Sequence, residues 1–72
     1  MNTKQFINFD KPVTIQMLNN VTDEVKAFTD VEFIVFRLNR NEVAIHFYYE
    51  NMNNRKPSEV FKLTEWDINI VN

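Results

Sequence analysis

The chain has 72 residues, ten of them acidic and eight basic, a formal net charge of −2, and neither cysteine nor glycine. One domain, 1–72, is expected at this length, and the missing cysteines exclude disulfides and thiolate metal sites. The missing glycines exclude the Gly-rich phosphate loops and the nucleophile elbow of many enzymes, because those turns need glycine's conformational freedom.

The N-terminal part of the chain carries two segments with strand character. Residues 1–10 are predicted to form an edge strand or an N-terminal arm, because Phe6, Ile7 and Phe9 need a surface on which to pack. From 12 to 18, apolar and polar residues alternate. That alternation is the period of a half-buried strand, so a strand is predicted there.

A turn and a long strand are predicted next. Asn19-Asn20 and Asp23 belong to the residue types that tolerate the left-handed backbone conformation, and we expect Asn19 or Asn20 to adopt it. An extended pattern then runs through residues 24–31. Residues 29–30 are predicted to form a bend or bulge inside one long, coiled strand.

A helix over 12–28 is the alternative for this region. Plotted at 100° per residue, six apolar side chains fall within a single arc, and Asp10 would cap a helix that tolerates Pro12 in its first turn. The β-branched residues and the paired asparagines in its middle are poor helix formers, which favours the strands. The helix would instead give an α+β domain, with the helix packed on a three- to four-stranded antiparallel sheet.

The segment 31–50 predicts a β-hairpin, since β-branched and aromatic residues alternate on both sides of a polar break. A three-residue loop, 39–41, with Asn41 in the left-handed conformation is the expected connection. This loop length fixes the register. The resulting pairs are Leu38 with Glu42, Val35 with Ile45, Phe33 with Phe47 and Val31 with Tyr49.

The C-terminal part predicts a polar loop at 51–58 and two short strands at 60–63 and 66–70. Apolar residues occupy odd positions in the first of these strands and even positions in the second. The register must therefore change at 64–65, through a bulge or a single helical turn.

Together these segments predict an all-β domain, a small antiparallel barrel or strongly bent sheet of about five strands. Their order resembles that of SH3-like and Sm-like small barrels. The glycines that mark the bent strands of the Sm family are missing from this chain. The resemblance therefore covers the order of elements, and no functional residue is carried over from it.

Catalytic and metal-binding chemistry has few candidate residues. His46 is the single histidine, no cysteine accompanies it, and the single serine, Ser58, lies in a distant loop. Glu65 and Asp67 flank Trp66 and are interpreted as solvated turn residues rather than as the acid and base of a glycosidase. The sequence predicts no enzyme, no cofactor, no metal site and no evident small-molecule substrate.

A protein interface is the favoured function. Both faces of the predicted hairpin carry apolar residues, and so short a chain has few layers with which to cover both. The predicted interface residues share one face: Ile34, Phe36, Leu38, Ala44, His46 and Tyr48. We expect a protein partner or self-association as a homodimer, whereas a closed barrel would bury this face.

Binding of single-stranded nucleic acid is the alternative function, because Phe36, His46 and Tyr48 share that face and cations lie near the loops. Intervening glutamates and the negative net charge argue against it. Abundant Asn, Phe, Ile and Lys indicate an AT-rich genome. With no signal-peptide core or membrane-spanning run, we expect a cytoplasmic accessory or inhibitor protein of a phage or plasmid that acts on a host protein.

Overall fold

Five antiparallel strands form one strongly curled sheet in a computed structural model that describes residues 3–71. The strands are β1 (Lys4–Asn19), β2 (Val25–Arg37), β3 (Glu42–Phe47), β4 (Glu59–Lys62) and β5 (Trp66–Ile70). Their order across the sheet is β4-β3-β2-β1-β5. The prediction of a small all-β barrel or bent sheet of about five strands is confirmed.

The alternative helix over 12–28 is wrong, because these residues lie in β1, a turn and β2. Burial along β1 alternates, with Ile15 and Met17 buried and the residues between them exposed, which is the strand period. The only helical element of the described chain is one 3₁₀ turn, Met52–Asn54. No helix in that part of the chain is long and apolar enough to cross a membrane.

The turn between β1 and β2 is organised by the side chain of Asn19. This residue is 9% exposed, and its Oδ1 accepts hydrogen bonds from the amides of Val21 at 2.9 Å and Thr22 at 3.0 Å. The left-handed residue of the turn is Asp23, with φ of 63°. The prediction that Asn19 or Asn20 holds this conformation is wrong, because neither has a positive φ. The backbone of Asn19 is extended as the last residue of β1, and its side-chain oxygen accepts the hydrogen bonds of the turn.

A bulge in the middle of β2 has the predicted position. Thr29 and Asp30 together lie opposite one residue of β1, between the paired positions Phe28 and Val31. Asp30 has φ of 58°, which lets β2 continue past the extra residue. Because a bulge increases the local twist of a strand, it contributes to the curl of the sheet.

The β2–β3 hairpin differs from the prediction by one residue. Arg37 pairs with Glu42, so the loop has the four residues 38–41, and the predicted three-residue register is wrong. The amide of Leu38 donates to the carbonyl oxygen of Thr3 at 2.8 Å. Leu38 therefore bonds to the residue before β1, and not to Glu42 of β3 as predicted. Asn41 has φ of 51°, which confirms the left-handed conformation expected there.

This one-residue slip exchanges the two faces of β2 relative to β3. Ile34 lies opposite Ile45, and Val35 lies opposite Ala44. We call the side of Ile34 and Ile45 the interior face, and the side of Val35 and Ala44 the outer face. A second register shift, next to Val31, returns that residue to the interior.

The core lies inside the curl of the sheet. Its buried residues come from the first four strands: Ile15, Met17, Val31, Ile34, Val43, Ile45, Phe47 and Phe61. At 63–65 a single turn, closed by a 3.2 Å hydrogen bond from the amide of Glu65 to the carbonyl of Lys62, changes the register as predicted. That change points Trp66 at the ring of Phe61, 5.0 Å away between centroids, so that β5 packs on the same core.

Candidate functional site: the outer face of the sheet

An apolar row crosses four strands on the outer face. Phe6 pairs with Val35, Val35 with Ala44, and Ala44 with Val60, so the four side chains share one face. Within the described part of the chain, Val35 and Ala44 are the two buried hydrophobic residues that lie outside the interior core cluster. Phe6 is 57% exposed and Val60 is 46% exposed at the two ends of the row.

Aromatic rings continue the apolar surface in the next row. The ring of His46 stacks on Phe33 with 4.4 Å between centroids and 8° between planes. Phe6 lies 6.4 Å from Phe33 in a tilted contact. We call this surface the outer patch, defined by the residues of both rows: Phe6, Phe33, Val35, Ala44, His46 and Val60.

A charged row borders the outer patch on one side. Glu42 Oε2 lies 2.9 Å from Lys62 Nζ on β4, and Glu42 Oε1 lies 3.6 Å from Arg37 Nη1 on β2. The hydrogen bond from Lys62 and the positive charges of Lys62 and Arg37 lower the pKa of Glu42 below its usual value. Three strands are therefore linked by charge at this end, and Glu42 stays ionised to lower pH than an unpaired glutamate.

A shallow pocket of about 440 Å³ borders the outer patch on the opposite side. Its wall includes Phe33 and His46 of the patch, and its rim carries tyrosines and cations from the chain after β3. Arg55 lies over the ring of Tyr49 at 5.8 Å, and Lys56 lies over the ring of Phe47 at 5.7 Å. These distances fit cation–π contacts, which hold the two cations beside the aromatic surface.

The 3₁₀ turn positions these cations. Asn51 caps the turn by accepting from the amide of Asn53 at 2.9 Å, and Asn54 Oδ1 accepts from the amide of Asn51 at 3.3 Å. This reciprocal capping gives the loop a defined shape without glycine. Arg55 follows directly, with its amide bonded back to Met52.

His46 is half-buried between the patch and the pocket. Burial lowers the pKa of its imidazole, and the positive charges of Arg37 and Arg55 lower it further. The folded state therefore favours the neutral ring, which stacks on Phe33 without the cost of desolvating a charge.

Acidification is expected to destabilise the domain in two windows. A lowered His46 pKa means that the unfolded state binds more protons, so the free energy of unfolding falls as pH falls from 6.5 toward the folded value. For Glu42 the contribution is present above pH 4.5 and is lost as pH falls through the lower folded pKa. Thermal unfolding of wild type, His46→Gln and Glu42→Gln between pH 8 and pH 3 measures both. An upper window that persists unchanged in His46→Gln would contradict the assignment.

The structure does not bring the six predicted interface residues together. Ile34 is fully buried in the core and Phe36 packs against it, both on the interior face. Ala44 and His46 lie on the outer face, as their pairing partners show. Leu38 is exposed in the hairpin loop before β3, whereas Tyr48 is exposed directly after β3 and lines the pocket.

Four residues of the outer patch were not among the predicted interface residues: Phe6, Phe33, Val35 and Val60. The signal for Phe33 and Val35 was present in the sequence, where they alternate with Ile34 and Phe36, but the register assigned them to the core. No comparable signal existed for Phe6 and Val60, since their partners lie far away along the chain.

No group of three or more His, Cys, Asp or Glu side chains able to hold a metal ion occurs within residues 3–71. Comparison of the chain with protein-family models, with curated proteins and with solved structures finds no match.

Proposed function

We propose that this domain is a non-enzymatic protein-binding module whose contact surface is the outer patch. The apolar row of Phe6, Val35, Ala44 and Val60 supports this proposal, because it crosses four strands on the face turned away from the core. Antiparallel sheets that have one solvated face usually place polar residues on it. Phe6 and Val60 expose apolar side chains at the two ends of this row, above the buried Val35 and Ala44, and exposed apolar side chains on this face favour a partner that covers them.

The margins of the patch favour a partner with acidic residues around an apolar centre. Six of the eight basic residues lie at the two ends of the outer face: Lys4, Arg37, Arg40, Arg55, Lys56 and Lys62. Glu42 is already paired with two of them. An apolar centre with a charged margin is the usual anatomy of a protein interface.

The second candidate is binding of single-stranded nucleic acid, and the pocket beside the patch favours it. Tyr48 and Tyr49 are 48% and 40% exposed, and Arg55 and Lys56 stand beside them. Exposed rings with adjacent cations suit stacked bases and their phosphates. The exposed aliphatic side chain of Val60 favours the protein partner, because it offers no ring on which a base can stack.

The amino-acid composition also indicates the kind of genome that encodes this protein. Asparagine occurs eleven times and phenylalanine seven times, with no glycine, a usage that fits an AT-rich genome. In a phage or plasmid of a low-GC bacterium, a cytoplasmic module of this size would act as an accessory or inhibitor of a host protein.

A matched pair of substitutions tests the protein-binding function. Val60→Asp puts a charge in the outer patch, whereas Val21→Asp makes the same change at a turn residue that is 74% exposed and lies outside the patch. Immobilised wild type and Val21→Asp should capture the same protein from a low-GC bacterial lysate. Val60→Asp should bind that protein at least about tenfold more weakly, the loss expected for an interface hot spot.

Circular dichroism and thermal unfolding first establish that both variants fold. Equal capture by wild type and Val60→Asp would overturn the outer patch as the contact surface. A parallel titration with fluorescent single-stranded oligonucleotides at low salt tests the second candidate, where electrostatic attraction is strongest. Oligonucleotide binding that is lost in Tyr49→Ala and retained in Val60→Asp would replace the protein-binding function with the nucleic-acid one.

A further inference from the structure

We infer that β1 pairs along its open edge with the same edge of a second copy of the chain, joining two sheets into one. β1 pairs with β2 over Lys4–Asn8 and again from Val13 to Leu18, but its other side pairs with β5 only from Ile15 onward. The amide of Val71 extends that second contact to the carbonyl of Thr14. Along residues 6–12, no strand of the described chain covers this side.

The hydrogen bond at the start of β1 shows which of its residues direct their backbone N–H and C=O groups toward β2. The carbonyl of Thr3 accepts from the amide of Leu38, so it points toward β2. Backbone groups alternate in direction along a strand, so Ile7 also bonds toward β2 and pairs with Ile34. Phe6 and Asn8 consequently direct their N–H and C=O groups outward, where only another strand supplies matching groups in sequence.

The edge lacks the usual protection against strand pairing. Exposed edges normally carry charges, proline or bulges that discourage another strand. Residues 5–9, Gln-Phe-Ile-Asn-Phe, contain none of the first two, and their pairing with β2 is regular through Asn8. Protection begins directly afterwards with Asp10, Lys11 and Pro12, which limits the available segment to 5–9.

Symmetry selects the register of the pair. A two-fold axis perpendicular to the sheet makes the strands antiparallel and keeps the outer faces of both copies on the same side. With the axis at Ile7, each Phe6 pairs with Asn8 of the other copy, and both residues have outward backbone groups. The two Ile7 side chains then meet on the interior face, where Ile7 is 37% exposed in the single chain.

This dimer contact goes beyond the proposed function, because it uses the backbone edge of β1, whereas partner binding uses side chains of the outer face; Phe6 is the residue that both involve. In the paired arrangement both outer patches stay on one side of the joined sheet and remain accessible. Val60→Asp should therefore leave self-association unchanged. Loss of self-association should likewise leave binding through the outer patch in place, so the two proposals fail separately.

The test is the molar mass in solution measured by sedimentation equilibrium over a concentration series. Wild type is expected to reach twice the 8.7 kDa chain mass, a dimer. Asn8→Pro removes an outward N–H and leaves the bonds to β2 intact, so it should raise the dimer dissociation constant at least tenfold. Asn8→Ala keeps the N–H and is the matched control, expected to stay dimeric.

A second variant keeps the dimer testable if Asn8→Pro fails to fold. Ile7→Lys retains every backbone group and places like charges on either side of the two-fold axis, so it should also give the 8.7 kDa species. A wild-type mass that stays at one chain at every concentration would overturn the inference. So would dimers that survive both substitutions in folded protein, or a ladder of larger species in place of a dimer.

Discussion

Replacing Ile34 by alanine is expected to lower the free energy of unfolding by about 2–5 kcal/mol. Ile34 is a fully buried member of the core cluster and lies opposite Ile45 on β3. Removal of its branched side chain loses the transfer free energy and leaves a cavity among packed neighbours. In a small domain this loss approaches the total stability, so the variant should unfold at much lower urea concentration.

The matched control for Ile34 is Leu38→Ala. Both residues share a face in the register predicted from sequence, but Leu38 is 59% exposed in the hairpin loop. Its truncation should cost less than about 1 kcal/mol, within the range of surface substitutions. Equal losses in the two variants would mean that Ile34 lies on an uncovered face, as the sequence-based register allowed.

Strand positions were predictable because local alternation specifies them. Burial of Ile15 and Met17, the bulge at Thr29-Asp30 and the turn at 63–65 all follow from residue types within a few positions. Each strand is half-buried, so its period of two is visible in the sequence. The helix alternative failed for the same reason, since its single arc used residues that alternate sides in a strand.

The hairpin register was not predictable, because both faces of β2 are apolar. Phe33 and Val35 are as hydrophobic as Ile34 and Phe36, so burial of either set looked equally favourable. The deciding interactions are distant along the chain. Leu38 bonds to Thr3, and Glu42 is held between Arg37 and Lys62, which together favour a four-residue loop.

The wrong hairpin register explains why the sequence predicted the β3 residues of the outer face but not those of β2. Ala44, His46 and Tyr48 were assigned to a binding face by the alternation of β3 alone, and the structure leaves Ala44 and His46 on the face turned away from the core. Ile34 and Phe36 were placed beside them only through the register, and they lie in the core instead. A surface assembled from four strands needs each cross-strand pairing to be correct, whereas a strand needs only its own period.

Of the left-handed turn residues, one was predicted from the sequence and another was not. Asn41 follows from loop chemistry, and its φ of 51° agrees with the prediction. In the first turn, Asp23 takes that conformation because the side chain of Asn19 is bonded to two turn amides. Asparagine's capacity to accept backbone hydrogen bonds thus competes with its tolerance of positive φ.

Replacing Phe61 by alanine is expected to cost about 3–5 kcal/mol. Phe61 is 6% exposed, and its ring lies 5.7 Å from Phe28 and 5.0 Å from Trp66. Phe61 is the one buried residue of β4. Loss of its ring should therefore weaken the packing of β4 and β5 against the core. The single tryptophan reports this directly, since Trp66 fluorescence should shift to longer wavelength in the folded variant.

Phe6→Ala is the matched control for Phe61→Ala, because it removes the same side chain from a site that is 57% exposed on the outer patch. Among residues 3–71 its one ring contact is the tilted one with Phe33, so its truncation should cost about 1 kcal/mol or less. Urea unfolding of both variants measures the difference. If Phe6→Ala were as costly as Phe61→Ala, the outer patch would be a second core of this domain, and its apolar row would no longer argue for a partner.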